Sequence, residues 1–296
     1  MSAQTVNMFT IENEWLKVDS LSKGAELTGI YNKKHGLEYM WNADPAFWAK
    51  KSPVLFPVIG TLKDDTYIYE KKTYKLGRHG FAREMEFSVI EQEKENISFR
   101  LESSAATKQK FPFDFQFEIK YSLHENSLKV EYVVKNTGSG KMYFSVGGHP
   151  AFKVPLVEGL NYSDYYLEFN KSEIAGRWPI SKQGLIEKEP IPLLQNNNHV
   201  ALTKKLFAND AIVLKHLRST TVTLKTARSE HGLTLDFTGF PFLGLWAAPN
   251  ADFICIEPWC GIADSIDTNQ ELTQKEGIYE THAGEIWTRS WLLTLF

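Results

Sequence analysis

The sequence predicts an all-β protein, a large antiparallel β-sandwich, and two observations carry that expectation. Apolar and polar residues alternate at period two in one segment after another, and no long segment carries the 3.6-residue apolar stripe of a helix. Strand-like runs are nowhere separated by regular helical patterns, which excludes a doubly wound α/β arrangement and leaves strands packed on strands.

The alternation can be followed along the chain. ISFRL from Ile97 is the first clear run, and DFQFEIKYSL follows with Phe115, Phe117, Ile119 and Tyr121 on one face and Gln116, Glu118 and Lys120 on the other. After a short His124–Glu125–Asn126 turn, LKVEYVVKN repeats the pattern with Leu128, Val130, Tyr132 and Val134. TVTLK from Thr221, LTLDF from Leu233 and the terminal IWTRSWLLTLF continue it. Turn-forming clusters punctuate the runs: ENE at 12–14, KDD at 63–65 and NTGSGK at 136–141. In FICIEPWCG, residues Phe253 to Ile256 read as a buried strand that Pro258 is expected to end just after Glu257. No fixed-period repeat and no linker-like interior stretch is visible, so residues 1–296 are assigned to a single domain.

Composition narrows the function. The chain is 43% hydrophobic and 23% charged, without low-complexity or single-sign segments, so it is expected to fold throughout. A formal net charge of −3 with no basic stripe argues against a nucleic-acid partner. Glu12 and Glu14 interrupt the N-terminal stretch where a signal peptide needs an apolar core, and no run reaches membrane-spanning length. A cytoplasmic location without membrane association is therefore expected. Cys255 and Cys260, the only cysteines, sit among apolar neighbours and read as buried free thiols rather than a redox pair.

Two of the eight histidines stand out. His149, in SVGGHPAF, follows Gly147 and Gly148 and precedes Pro150, so flexible backbone leads to the imidazole and a fixed φ leaves it. The expectation is that these glycines let a ligand approach the backbone. His79, in LGRHGFAR, lies between glycines and is flanked by Arg78 and Arg83. Each is either a turn histidine bonded to a neighbouring carbonyl or a proton carrier facing a ligand. His35, His124, His199, His216, His231 and His282 are expected on the surface.

Glu257 is the most informative acid. A carboxyl at the end of an apolar strand is partly desolvated, which raises its pKa and makes it a stronger base than a surface glutamate. No basic residue lies within ten positions of it, so an ion-pair partner would have to be distant in sequence. A carboxylate that accepts a proton beside an imidazolium that donates one suits a substrate that loses a proton at one oxygen and gains one at another. A sugar hemiacetal does this when its ring opens. With reference pKa values of about 4.3 for Glu and about 6.5 for His, the pair works at neutral pH only if the carboxylate helps keep the imidazole charged. Phe81, Trp246 and Trp259 are candidates to stack on a pyranose face, or else to pack in the core.

Taken together, HGFAR at 79–83, GGHPAF at 147–152 and ICIEPW at 254–259 resemble the signature elements of the aldose 1-epimerase (mutarotase) family. The order SPVLFPVIG, HGFAR, GGHPAF, CIEPW resembles its LacX-like subgroup, from about residue 24 to the C-terminus. The resemblance implies a β-sandwich of the galactose mutarotase type, with His149 as general acid, Glu257 as general base and His79 assisting at the sugar ring. It matches a hydroxyl-binding aspartate to Asp210 and implies no metal or organic cofactor. The expected partner is a small-molecule sugar, an aldohexose that is free or phosphorylated, handled by a monomer or homodimer. The chain departs from the galactose mutarotases where they carry an arginine, since it reads VIGTLKDD with Thr61 there and Lys63 close by. A related branch acts on hexose 6-phosphates through arginines. Lys63, Arg78 and Arg83 are the candidates for that charge here, although Arg83 could instead pair with Glu84 or Glu86. The readings carried forward are an aldose 1-epimerase, a hexose-6-phosphate 1-epimerase and a non-catalytic carbohydrate-binding or sensing protein.

Overall fold

A computed structural model describes residues 7–296, so residues 1–6, part of the N-terminal stretch and of the assigned domain, lie outside the described residues. The alternating runs form a nine-stranded antiparallel sheet. In spatial order its strands are Ile191–Ala201, Tyr165–Arg177, Thr221–Thr226, Ser229–Asp236, Ile286–Leu295, Ser127–Asn136, Phe115–His124, Asn96–Glu102 and Ser88–Gln92. All six runs read from sequence are in it. Opposed positions such as Ile119 and Tyr132, or Val130 and Trp291, place their buried side chains on one face, as period-two alternation requires. Helical structure among the described residues is limited to Ala105–Lys108 and a few 3-10 turns. No helix there is long and apolar enough to cross a membrane.

A five-stranded sheet shares its core with the large one. At its centre is Phe253–Cys260, buried along its whole length, with Phe242–Trp246 on one side and Ile212–Lys215 beyond that. On the other side the neighbour is broken into two short strands, Val146–Gly147 and Ala151–Lys153, with Gly148, His149 and Pro150 bridging them. A four-stranded sheet from Met8 to Glu38 completes the main layers.

Two sequence expectations change here. The strand runs through Pro258 to Cys260 instead of ending after Glu257. Pro258 carbonyl accepts from Gly148 N–H at 3.2 Å, so its nitrogen faces the interrupted side of the sheet, where the missing N–H leaves no ladder partner unmatched. The glycines of SVGGHPAF, for their part, approach protein rather than open space. A Cβ on Gly147 would lie 2.9 Å from the Pro258 carbonyl oxygen, and one on Gly148 would lie 2.7 Å from the Tyr132 hydroxyl. Tyr132 and Trp291, joined by a 3.0 Å hydrogen bond, belong to the large sheet, so Gly148 lets the His149 loop lie flat against it. Gly148→Ala is expected to destabilise the protein by about 1–3 kcal/mol through this overpacking, as measured by urea unfolding. An unchanged midpoint would show that the loop has room to lift.

Candidate active site

Glu257 and Trp259 project from the same face of Phe253–Cys260, because alternate residues of a strand share a face. Gly244 sits opposite Glu257 in the neighbouring strand, and a Cβ there would lie 2.5 Å from the Trp259 ring, so the indole lies directly over that glycine. His149 descends from the loop on the other side until Nε2 is 3.4 Å from Glu257 Oε2. Trp48 stacks on its imidazole at 5.0 Å between ring centroids, and Trp246 meets it edge-on at 5.8 Å.

His79 is held differently. Its φ of 66° and that of Gly80 at 73° put consecutive residues in the left-handed region, and a Cβ at Gly80 would clash with the Phe56 carbonyl. The turn is locked by a reciprocal pair: His79 N–H donates to Gly60 carbonyl at 2.9 Å, and Gly60 N–H donates to His79 Nδ1 at 3.0 Å. Since Nδ1 accepts, the neutral ring carries its proton on Nε2 and is a donor there.

These groups share a cavity of about 490 Å³, within the usual range of about 300–1,000 Å³ for small-molecule sites. His79, His149, Glu257, Asp210, Arg78, Arg83, Trp246 and Trp259 all line it. Asp210, with φ at 77°, accepts from the Ala211 N–H and lies 3.9 Å from Arg78. Arg83 donates to the Arg78 carbonyl at 3.0 Å and is 4.0 Å from Glu84, so it serves the cavity wall while touching the acid considered for it.

Two expected site residues are elsewhere. Phe81 is core: the left-handed turn at His79–Gly80 sends it inward against Phe56, Phe111 and Phe115. Lys63 is drawn behind the wall, its N–H donating to Asp264 Oδ2 at 2.9 Å and its ammonium to the Ile266 carbonyl at 3.3 Å. Sequence reasoning also missed Trp48, whose signal was a tryptophan in the loop AFWAKK. Of the six histidines expected on the surface, five are exposed, while His231 is half-buried against His35 at 4.7 Å. Both cysteines are buried and free, as expected.

Burial dominates the electrostatics. It lifts the Glu257 carboxyl well above its ordinary value, with opposition from the Arg78 charge and the Trp259 indole. Trp259 Nε1 lies beside the carboxyl without reaching hydrogen-bond geometry. Burial lowers the His149 imidazole to about 3, and it holds His79 well below 6.5 with help from His149. Both shifts favour the uncharged forms, a protonated carboxyl beside a neutral imidazole. Burial thus works against the condition set from the sequence, that the carboxylate help keep the imidazole charged. The cause is that the site is drier than a strand end would be, with Glu257 only 1% exposed. His149, Cys255 and Glu257 are also the group of potential metal donors found among the described residues.

Comparison with known proteins agrees with the fold and the motifs. The model of the aldose 1-epimerase family matches residues 7–280. Protein LacX of Lactococcus lactis subsp. lactis is 37% identical over 276 residues, which is 90% of this chain and 91% of that protein. A galactose mutarotase related enzyme from Lactobacillus acidophilus superposes with a TM-score of 0.93 at 34% identity, over 98% of this chain and 97% of that one. A galactose mutarotase-like protein from Lactobacillus casei ATCC 334 does so with a TM-score of 0.92 at 32% identity, over 98% of this chain and 100% of that one. The chain belongs to the aldose 1-epimerase family, an isomerase class whose fold is the galactose mutarotase type. Within that family it is LacX-like.

The buried imidazole has a consequence for stability. Between 6.5 and about 3 the unfolded chain takes up a proton at His149 that the folded chain refuses, so stability is lost as pH falls through that window. Relative to wild type, His149→Gln is expected to gain stability on going from about pH 7.5 to about pH 5, read as a Tm difference. A Tm difference that does not move with pH would mean that His149 charges as readily folded as unfolded.

Proposed function

We propose that the protein is an aldose 1-epimerase that interconverts the α and β anomers of an aldohexose. The observation that carries this reading is the 3.4 Å approach of His149 Nε2 to Glu257 Oε2 on the floor of the cavity. The anomeric hydroxyl and the ring oxygen are bonded to the same carbon, so an acid and a base that serve both must be close neighbours. Glycosidase carboxyls stand farther apart, about 5–5.5 Å or more, to work on opposite sides of the anomeric carbon.

The step balances within the pair. One proton moves from Glu257 to His149 when a polar ligand stabilises the charged arrangement, giving a carboxylate and an imidazolium. Glu257 then takes the C1 hydroxyl proton while His149 protonates the ring oxygen, and the C1–ring oxygen bond breaks. Rotation about C1–C2 and closure on the other face return both protons. His79, neutral with its N–H on Nε2, donates to the ring oxygen, and Asp210 orients hydroxyls. A binding module needs no acid and base in contact, so the pair favours catalysis over a sensing role.

A second reading is favoured by one observation: Arg78 and Arg83 both line the cavity. A phosphorylated hexose would give these guanidiniums an anionic partner that Asp210 supplies only at 3.9 Å to Arg78.

Glu257→Gln is expected to lower the rate of mutarotation of fresh α-D-glucose or α-D-galactose by at least about 100-fold with the fold intact, followed by polarimetry. Near-normal turnover in that variant would remove Glu257 from the mechanism. The wild-type rate is expected to be bell-shaped in pH. It falls on the acid side towards about 3, where His149 takes a second proton, and on the alkaline side above Glu257's raised value, where the pair has none. Competition by inorganic phosphate that disappears in Arg78→Ala or Arg83→Ala would select the phosphorylated substrate. Indifference to phosphate would select the free sugar.

A further inference from the structure

Cys255 shares its strand face with Glu257, two residues away, and lies deeper than the cavity wall. One donor atom from each of His149, Cys255 and Glu257 lies within 4.8 Å of the other two, and all three residues are buried. Cys255 packs in the main core, but the proton-transfer scheme does not use its thiol, which makes no disulfide. The other two residues also have capacity to spare: His149 Nδ1 and Glu257 Oε2 are buried without a hydrogen-bond partner. His149 is 9% exposed and Glu257 1%. Nitrogen, sulfur and carboxylate oxygen converging from three side chains, beside an open cavity, are the donor set of a three-ligand zinc site with a free fourth position.

We propose that His149, Cys255 and Glu257 form a site for one thiophilic divalent cation, of the class of Zn²⁺ and Cd²⁺, on the floor of the cavity. A thiolate ligand selects such ions over Mg²⁺ and Ca²⁺, which require oxygen ligands. As the metal–sulfur bond forms, the S–H proton leaves to solvent, the Glu257 carboxyl releases its own, and His149 contributes a ring lone pair. Metal–ligand distances of about 2.0–2.3 Å require the widest donor pair to close by roughly 1 Å, which side-chain rotation supplies. A cation there occupies both groups assigned to proton transfer, so it blocks epimerisation. That last consequence rests on the proposed activity, whereas the binding does not.

The probe is Cd²⁺ added to the full chain after chelator treatment, followed by calorimetry and by the ultraviolet absorption of the cadmium–thiolate bond. Wild type is expected to bind one Cd²⁺ with a thiolate band, and Mg²⁺ to give none. Removal of outer-shell partners alone weakens metal sites about 10–100-fold, so Cys255→Ala and Cys255→Ser are expected to bind about 100-fold more weakly and to lose the band. His149→Gln, which removes a different donor, is expected to weaken binding while keeping the thiol. Mutarotation measured alongside should stop with Cd²⁺ in wild type and continue in the Cys255 variants. Stoichiometric binding and a thiolate band in a chain without mutarotase activity would sink the activity and leave the site standing. Absence of a band in wild type would overturn the site, and so would a band that survives both Cys255 substitutions, since that would place the ion on Cys260.

Discussion

Glu257 is a carboxyl group in the middle of the most deeply buried strand, with one oxygen that no donor reaches. Ionising it there would cost several kcal/mol, and among the described residues no Lys or Arg stands at contact distance to offset that. Burial therefore favours its protonated form. The same dryness strips His149 of its charge, and the arrangement around them preserves that dryness. Gly148 sets the loop down on Tyr132 and Trp291, Gly244 lets the Trp259 ring close one side, and Trp48 covers the imidazole. Pro258 keeps the strand continuous past Glu257 because its missing N–H faces the break in the neighbouring strand. Each device is a matter of packing, and their joint effect is electrostatic.

A protonated carboxyl beside a neutral imidazole is one proton transfer away from a carboxylate beside an imidazolium. The two arrangements contain the same atoms and the same net charge, and differ only in how strongly the surroundings solvate separated charge. Burial favours the uncharged arrangement. Under the proposed mechanism, a ligand whose hydroxyls reach both groups would supply the hydrogen bonds that the protein withholds, so the ligand itself would create the arrangement that the reaction needs. This links the burial of the pair to its proposed chemistry without any movement of the backbone.

Much of this was legible in the sequence, and the failures have physical reasons. DFQFEIKYSL and LKVEYVVKN have one dry face and one wet face, so period-two alternation gave both strands and their buried faces, and the two pair across the turn between them. The hairpin of Tyr165–Arg177 and Ile191–Ala201 was not readable: it carries a run of asparagines, register shifts and an exposed Ile174, because an edge of the sheet is wet on both faces. His79, His149 and Glu257 were found by their company of glycine and proline, and they meet in space. The purpose of those glycines was misread, since nothing in a sequence distinguishes close approach to a ligand from close approach to a tyrosine across the core. Phe81 and Lys63 lie close in sequence to cavity-lining His79 and Gly60, but a left-handed turn and a buried aspartate direct them elsewhere. Their identity was visible and their direction was not.

The wall and the floor of the cavity differ in how their polar groups are satisfied. Asp264 accepts from Lys275 at 2.7 Å in a pair that is 3% exposed on both sides. Its second oxygen holds Lys63 N–H, and its backbone binds Thr61 and Ile186, joining the segments behind Gly60, Gly184 and Ala263. Removing one member of such a buried pair leaves an uncompensated charge, so losing these contacts is costly. By contrast, four of the eight buried polar atoms without partners among the described residues belong to cavity-lining side chains: Arg83 Nε, His149 Nδ1, Glu257 Oε2 and Trp259 Nε1. Two are donors and two can accept. A native core satisfies nearly all such groups, and leaving them open costs stability at each one. On the proposed reading, a hydroxyl-rich ring would offer these atoms donors and acceptors on adjacent carbons, so stability given up at them would return as affinity when it binds.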